Sequence, residues 1–164
     1  MTRRRLASLL ATALAGLVSA AHGQISGISA PPGQRSYVFY AAESQTVPAG
    51  KRAMLELRFH MLPGYHVNSH TPTSEMLIPT TLTLQPAAGV KTLPLVYPAG
   101  HSYSFSFDPG DKLDVYMGDF TVMLPVVAQA GQHTVDGSLR YQACDNASCY
   151  PPRTLPVKVV FTAK

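Results

Sequence analysis

Cys144 and Cys149, the two cysteines of the chain, are the residues whose type and spacing most directly permit chemistry. Two thiols five positions apart can close a disulfide, exchange it with another protein's thiols, or supply two ligands to a metal. The segment Arg140-Tyr-Gln-Ala-Cys-Asp-Asn-Ala-Ser-Cys-Tyr-Pro-Pro-Arg153 joins two strand-like runs, so the cysteines flank a four-residue hairpin loop. Opposed residues of a non-hydrogen-bonded antiparallel pair bring their Cβ atoms close to the separation a disulfide needs. As a brace the bond is weak: chain entropy gives about 2 kcal/mol for so short a loop, against about 4.7 for a loop of about a hundred residues. That suits a bond that opens and closes, while a plain hairpin disulfide in an exported domain stands as the other reading. Tetrahedral zinc needs two further ligands, and His60, His66, His70, His101 and His133 show no ligand spacing. Met117 or Met123 could join a cysteine on copper, although packing is the commoner use of methionine.

Leu139, Tyr141 and Ala143 alternate with Arg140, Gln142 and Cys144, which puts Cys144 on the polar phase and predicts an exposed sulfur. Pro151-Pro152 interrupts the register of the returning strand and withholds ladder donors beside Cys149. Asp145 would raise the neighbouring thiol's pKa and Arg140 would lower it, so no sign follows. Asn146-Ala147-Ser148 fits a glycosylation pattern but is read as turn chemistry. Tyr65 and His66, within Gly64-Tyr-His-Val-Asn68, could line the site, with His66 a general base or simply satisfied at a strand end. Hydrolysis is excluded by the absence of a Gly-x-Ser-x-Gly elbow, and paired-carboxylate chemistry by nine acidic residues scattered over turns.

The elements that must position the cysteines are strands. Period-two alternation is clearest over residues 54–60, where Leu55, Leu57 and Phe59 face a core and Glu56, Arg58 and His60 face water. It recurs at Tyr103, Phe105 and Phe107, over 120–126, and over 155–161. Less regular candidates are 37–41, 65–68, 80–84, 90–96, 113–116 and 134–143, with turns expected at 47–50, 98–100 and Asp108-Pro109-Gly110-Asp111. Fourteen prolines, twelve glycines and no convincing helix after the start predict an all-β chain. An immunoglobulin-like antiparallel β-sandwich fits best, with a closed barrel as the alternative.

Residues 1–5 are basic, 6–21 apolar, and small residues follow at Ala20, Ala21 and Gly23, the pattern of a cleavable signal peptide over 1–23. A flexible lead-in over 24–34 and one sandwich domain over 35–164 would follow, exported and without membrane insertion. Of thirteen basic residues, Arg3, Arg4 and Arg5 would leave with the leader, and ten against nine acidic ones make no case for nucleic acid.

The hairpin resembles the active-site hairpin of the periplasmic N-terminal domain of the DsbD thiol:disulfide interchange reductases, in which Tyr-Gln-x-Cys and Cys-Tyr-Pro-Pro enclose a short loop. Gly64-Tyr-His-Val-Asn-Ser-His-Thr-Pro, Leu77-Ile-Pro-Thr80 and Val115-Tyr-Met-Gly118 are similar to that domain too, and the likeness runs from about Arg35 to Phe161. The resemblance implies an immunoglobulin-like module that relays electrons by dithiol-disulfide exchange. Thioredoxin-fold periplasmic proteins would be its partners, with no organic cofactor or metal, in a setting such as cytochrome c biogenesis. It implies Cys149 as the nucleophile and Cys144 as the resolving thiol, beside Tyr150. It also implies a cap over the cysteines, with Phe107, Asp108 and Tyr116 as candidate shields. The loop is one residue shorter than in the best-known member. With Lys164 the last residue, a separate membrane electron donor is expected.

Overall fold

The strands arise where apolar side chains recur at every second position. The computed structural model describes residues 35–105 and 108–164, so the expected leader, the lead-in and Phe107 lie outside the described residues. In chain order the strands are β1 (Val38–Ala41), β2 (Gln45–Val47), β3 (Arg52–Met61), β4 (His66–Asn68), β5 (Thr81–Leu84) and β6 (Val90–Thr92). They continue as β7 (His101–Phe105), β8 (Asp108–Met117), β9 (Phe120–Ala128), β10 (Gly131–Tyr141), β11 (Ala143–Cys144) and β12 (Arg153–Ala163).

Two four-stranded sheets, ordered β1-β3-β9-β6 and β2-β12-β10-β5, form the body. Their alternating faces meet in one core: Leu55, Leu57, Phe59, Val122, Leu124 and Val126 from the first sheet, Val135, Leu139, Leu155, Val157, Val159 and Phe161 from the second. The all-β antiparallel sandwich is therefore as expected, with one parallel pairing, β2 beside β12, that alternation did not announce.

A third sheet, ordered β11-β4-β8-β7, carries the cysteine segment. One face joins the main core through Ala143, Val67 and Tyr116, which lie in register across β11, β4 and β8. The other face carries Cys144, His66 and Met117 in register.

Three local expectations are corrected. The strand expected over 90–96 stops at Thr92, because Pro94 lacks the donor a ladder needs, and Val96 makes only an isolated bridge to Met123. The turn expected at 108–111 instead lies within β8. There the pairing with β7 jumps from Phe105↔Asp108 to Tyr103↔Leu113, so the turn-forming residues are absorbed as a bulge. Pro109 is tolerated because β4 pairs with β8 only from Val115 onward. The third concerns Cys144 itself.

Candidate functional site

The long β10–β12 hairpin, paired from Gly131↔Ala163 to Tyr141↔Arg153, carries the cysteines at its tip. Beyond Tyr141 the chain moves from the second sheet to the third, where Cys144 pairs with His66 on one side and bridges Cys149 on the other. The Cys144↔Cys149 bridge and the Tyr141↔Arg153 pair differ by one residue in register, and Pro151-Pro152 holds the extra residue. Cys144 and Cys149 are joined by a disulfide, with Cα atoms 4.0 Å apart.

The two cysteines differ in exposure. Cys149 is exposed, whereas Cys144 has 0% relative exposure, contrary to the exposed position its phase suggested. The phase itself holds, since Ala143 faces the main core and Cys144 the opposite side. That side is closed at Cys144 and His66, although Met117 in the same row is exposed. Tyr103 lies with its ring centroid 4.1 Å from that of His66, the residue opposite Cys144, and Phe105 follows at 5.9 Å. Leu113 and Val115 of β8 are buried on this side as well, apart from the main core.

The loop between the cysteines is held by Asp145. One carboxylate oxygen accepts the Ala147 and Ser148 amides, both at 2.8 Å, and the other accepts the Tyr150 hydroxyl at 2.5 Å. The Asp145 amide donates to the Ser148 carbonyl, Tyr150 N–H to the Ala143 carbonyl, and the Gln142 side chain to the Tyr150 carbonyl. The Tyr150 hydroxyl and the two amides hold the Asp145 carboxyl below its ordinary range, and the same hydroxyl bond, helped by burial, pushes Tyr150 up to about 12. Asp145 is thus committed to its own loop, and Arg140 is exposed on β10.

Beside the hairpin, Tyr150 stacks on Tyr37 with centroids 5.1 Å apart, and Tyr65 leans on Tyr37 at 4.8 Å. Tyr65, His66, Tyr103, Met117 and Asn146 line a pocket of about 360 Å³. Gly64 and Gly118, also on its rim, adopt positive φ values of 83° and 63° that an L side chain would resist. His66 is 2% exposed, and burial lowers its pKa more than Asp145 raises it.

Of the residues singled out from sequence, Cys144, Cys149, Tyr65, His66 and Tyr150 are brought together. Tyr116 is not: its ring packs on Phe120 at 4.8 Å on the core face, and its hydroxyl accepts the His70 amide and donates to the Pro98 carbonyl. Asp108 is exposed at the start of β8. Tyr37, Tyr103, Asp145 as the loop's clamp, and Gln142 were not foreseen in these positions. For Asp145, the Asp two and three residues before free amides was a usable Asx-turn signal. For Tyr37 and Tyr103, far away in sequence, there was none.

Among the described residues no cluster of three potential metal ligands exists, and no helix is long and apolar enough to cross a membrane. The family model described as thiol:disulfide interchange protein DsbD, N-terminal, matches residues 36–160. No curated protein matches the sequence. The N-terminal domain of DsbD from Neisseria meningitidis, in its reduced form, is 18% identical with a TM-score of 0.42, over 66% of this chain and 81% of that one. The N-terminal periplasmic domain of ScsB from Proteus mirabilis is 10% identical with a TM-score of 0.49, over 74% of this chain and 44% of that one.

Proposed function

Since the chain belongs to the family of DsbD N-terminal domains, we propose that it is an exported, periplasmic module that relays electrons by thiol-disulfide exchange through Cys149 and Cys144. The observation that carries this reading is the asymmetry of the disulfide, with one cysteine exposed at a loop tip and the other fully buried. Exchange proceeds by attack of a thiolate along an accessible path to a sulfur, through a mixed disulfide. Cys149 offers that path and Cys144 does not. In the reducing direction the Cys149 thiolate attacks a partner's disulfide, one partner sulfur leaves as thiolate and takes a proton, and a mixed disulfide forms. The Cys144 thiol, on losing its proton, then attacks Cys149, and the second partner sulfur leaves. The partner gains two electrons and two protons, and the Cys144–Cys149 bond is restored.

The partners are thioredoxin-fold proteins of the same compartment, and a membrane electron carrier supplies the electrons. We assign the cover over the buried side to Tyr103 and Phe105 of β7, whose rings pack on His66, rather than to Tyr116. Nothing in this chemistry calls for an organic cofactor or metal.

The test is to trap the mixed disulfide. Cys144→Ser should accumulate a covalent adduct with a thioredoxin-fold partner, which Cys149→Ala should abolish. Exchange at an unchanged rate in Cys149→Ala would defeat the proposal in favour of a non-catalytic domain with a structural hairpin disulfide.

A further inference from the structure

The Nε2 of His66 is buried and has no hydrogen-bond partner. His66 stands directly opposite Cys144 in the β4–β11 pairing, a relation that sets Cβ atoms about 4.5–5.5 Å apart. Tyr103 packs on the ring at 4.1 Å, and the Nε2 atom itself is shut off from solvent, so bulk water is no substitute partner. A buried nitrogen left unbonded destabilises whichever state contains it. In the disulfide Cys144 has no proton to offer, but in the dithiol its S–H is a donor.

We infer that His66 is a redox-linked partner of Cys144: its Nε2 is unbonded while the disulfide is closed, accepts the Cys144 S–H once the pair is reduced, and so biases the pair toward the dithiol. A reducing dithiol or two molecules of glutathione supply two electrons and two protons. The S–S bond breaks, an S–H forms on each cysteine, and the reductant closes its own disulfide. The inference deepens the exchange reading and rests on it for its purpose, since only a cycling pair uses such a bias.

Among the described residues, the groups facing the imidazole are Cys144 from β11, Tyr103 and Phe105 from β7 and Asp145 from the loop, while β8 presents the uncharged Met117. Burial holds the ring below its ordinary pKa against the pull of Asp145, so the ring is neutral at neutral pH, and its Nδ1–H tautomer leaves the Nε2 lone pair to accept. Protonation removes the acceptor, so the bias is present at neutral pH and fades as pH falls through that lowered value.

The experiment equilibrates the full chain with glutathione buffers and counts thiols by mass spectrometry. His66→Phe keeps a ring against Tyr103 but has no acceptor, and its disulfide should resist reduction about tenfold more at pH 7, equivalent to about 30 mV. His66→Gln, whose carbonyl can accept the S–H, should stay near wild type, and the gap between wild type and His66→Phe should close in acid. Equal potentials for wild type and His66→Phe, or a gap that ignores pH, would overturn the inference. Should His66→Phe fail to fold, the ¹⁵N shift of Nε2 in the wild-type chain decides, since it must move on reduction and a constant shift refutes. Glutathione needs no protein partner, so a shifted potential without partner exchange sinks the relay alone, and exchange with an unshifted potential sinks this inference alone.

Discussion

Asp145 and Tyr150 form a small electrostatic unit beside the exposed Cys149, and its behaviour with pH follows from the direction of each shift. The Asp145 carboxyl lies below its ordinary value, so the clamp is intact above about pH 4 and is lost as pH falls through the depressed value. The Tyr150 phenol is raised from 10.0 to about 12, so its contribution is complete below pH 10 and is lost as pH rises through the higher value. Between these limits the loop keeps one shape. Asp145→Asn removes the charge that holds the phenolic proton, and Tyr150 should then titrate nearer to 10. Tyr40, also near 12 but because of burial, should not move and serves as the internal control. Tyrosine-selective NMR titration reads both, and a Tyr150 that still titrates near 12 would show that the Asp145 bond is not what holds it.

At the level of elements, what could be read in the sequence was phase, and what could not was cover. The alternation of β3 and β12 predicts their buried faces residue by residue, because both faces are decided by one neighbouring sheet. The phase of Cys144 was equally legible, since Ala143 faces the core and Cys144 does not. Its burial was not, because on the face away from the core Tyr103 of β7, some forty residues upstream, packs on His66 beside Cys144, and no local pattern reports that packing. The disulfide's own position was legible from the hairpin spacing, although Pro151-Pro152 interrupts the register of the returning strand. Tyr116 shows the converse error: family likeness suggested a shield, yet its phase with Val67 and Ala143 puts it in the core. The cover has a measurable consequence. In the reduced chain Cys149 should alkylate well before Cys144, and Tyr103→Ala should speed Cys144 selectively, which timed alkylation with mass-spectrometric readout resolves. An equal effect on both cysteines would mean that Tyr103 supports the loop instead of covering one sulfur.

For the molecule as a whole, the redox pair is mechanically remote from what keeps the chain folded. The core lies between the faces of β3, β9, β10 and β12, and the disulfide closes only the tip of one hairpin. That tip is held independently by the Asp145 clamp and by the Tyr150 and Gln142 hydrogen bonds. Opening a bond across so short a loop releases little chain entropy, about 2 kcal/mol at most. Leu57, fully buried in the core, is a contrasting site: Leu57→Ala should cost about 2–5 kcal/mol through lost burial and the cavity left behind. The two perturbations share no contacts, so they should add, and Leu57→Ala should leave the reduction potential where it was. Denaturant unfolding of oxidised and reduced chains, each with and without Leu57→Ala, closes the cycle. Additivity within about 0.5 kcal/mol means that the module can be oxidised and reduced without its fold being at stake. A coupling of 1 kcal/mol or more, or a reduced chain that no longer unfolds cooperatively, would make the disulfide part of the architecture.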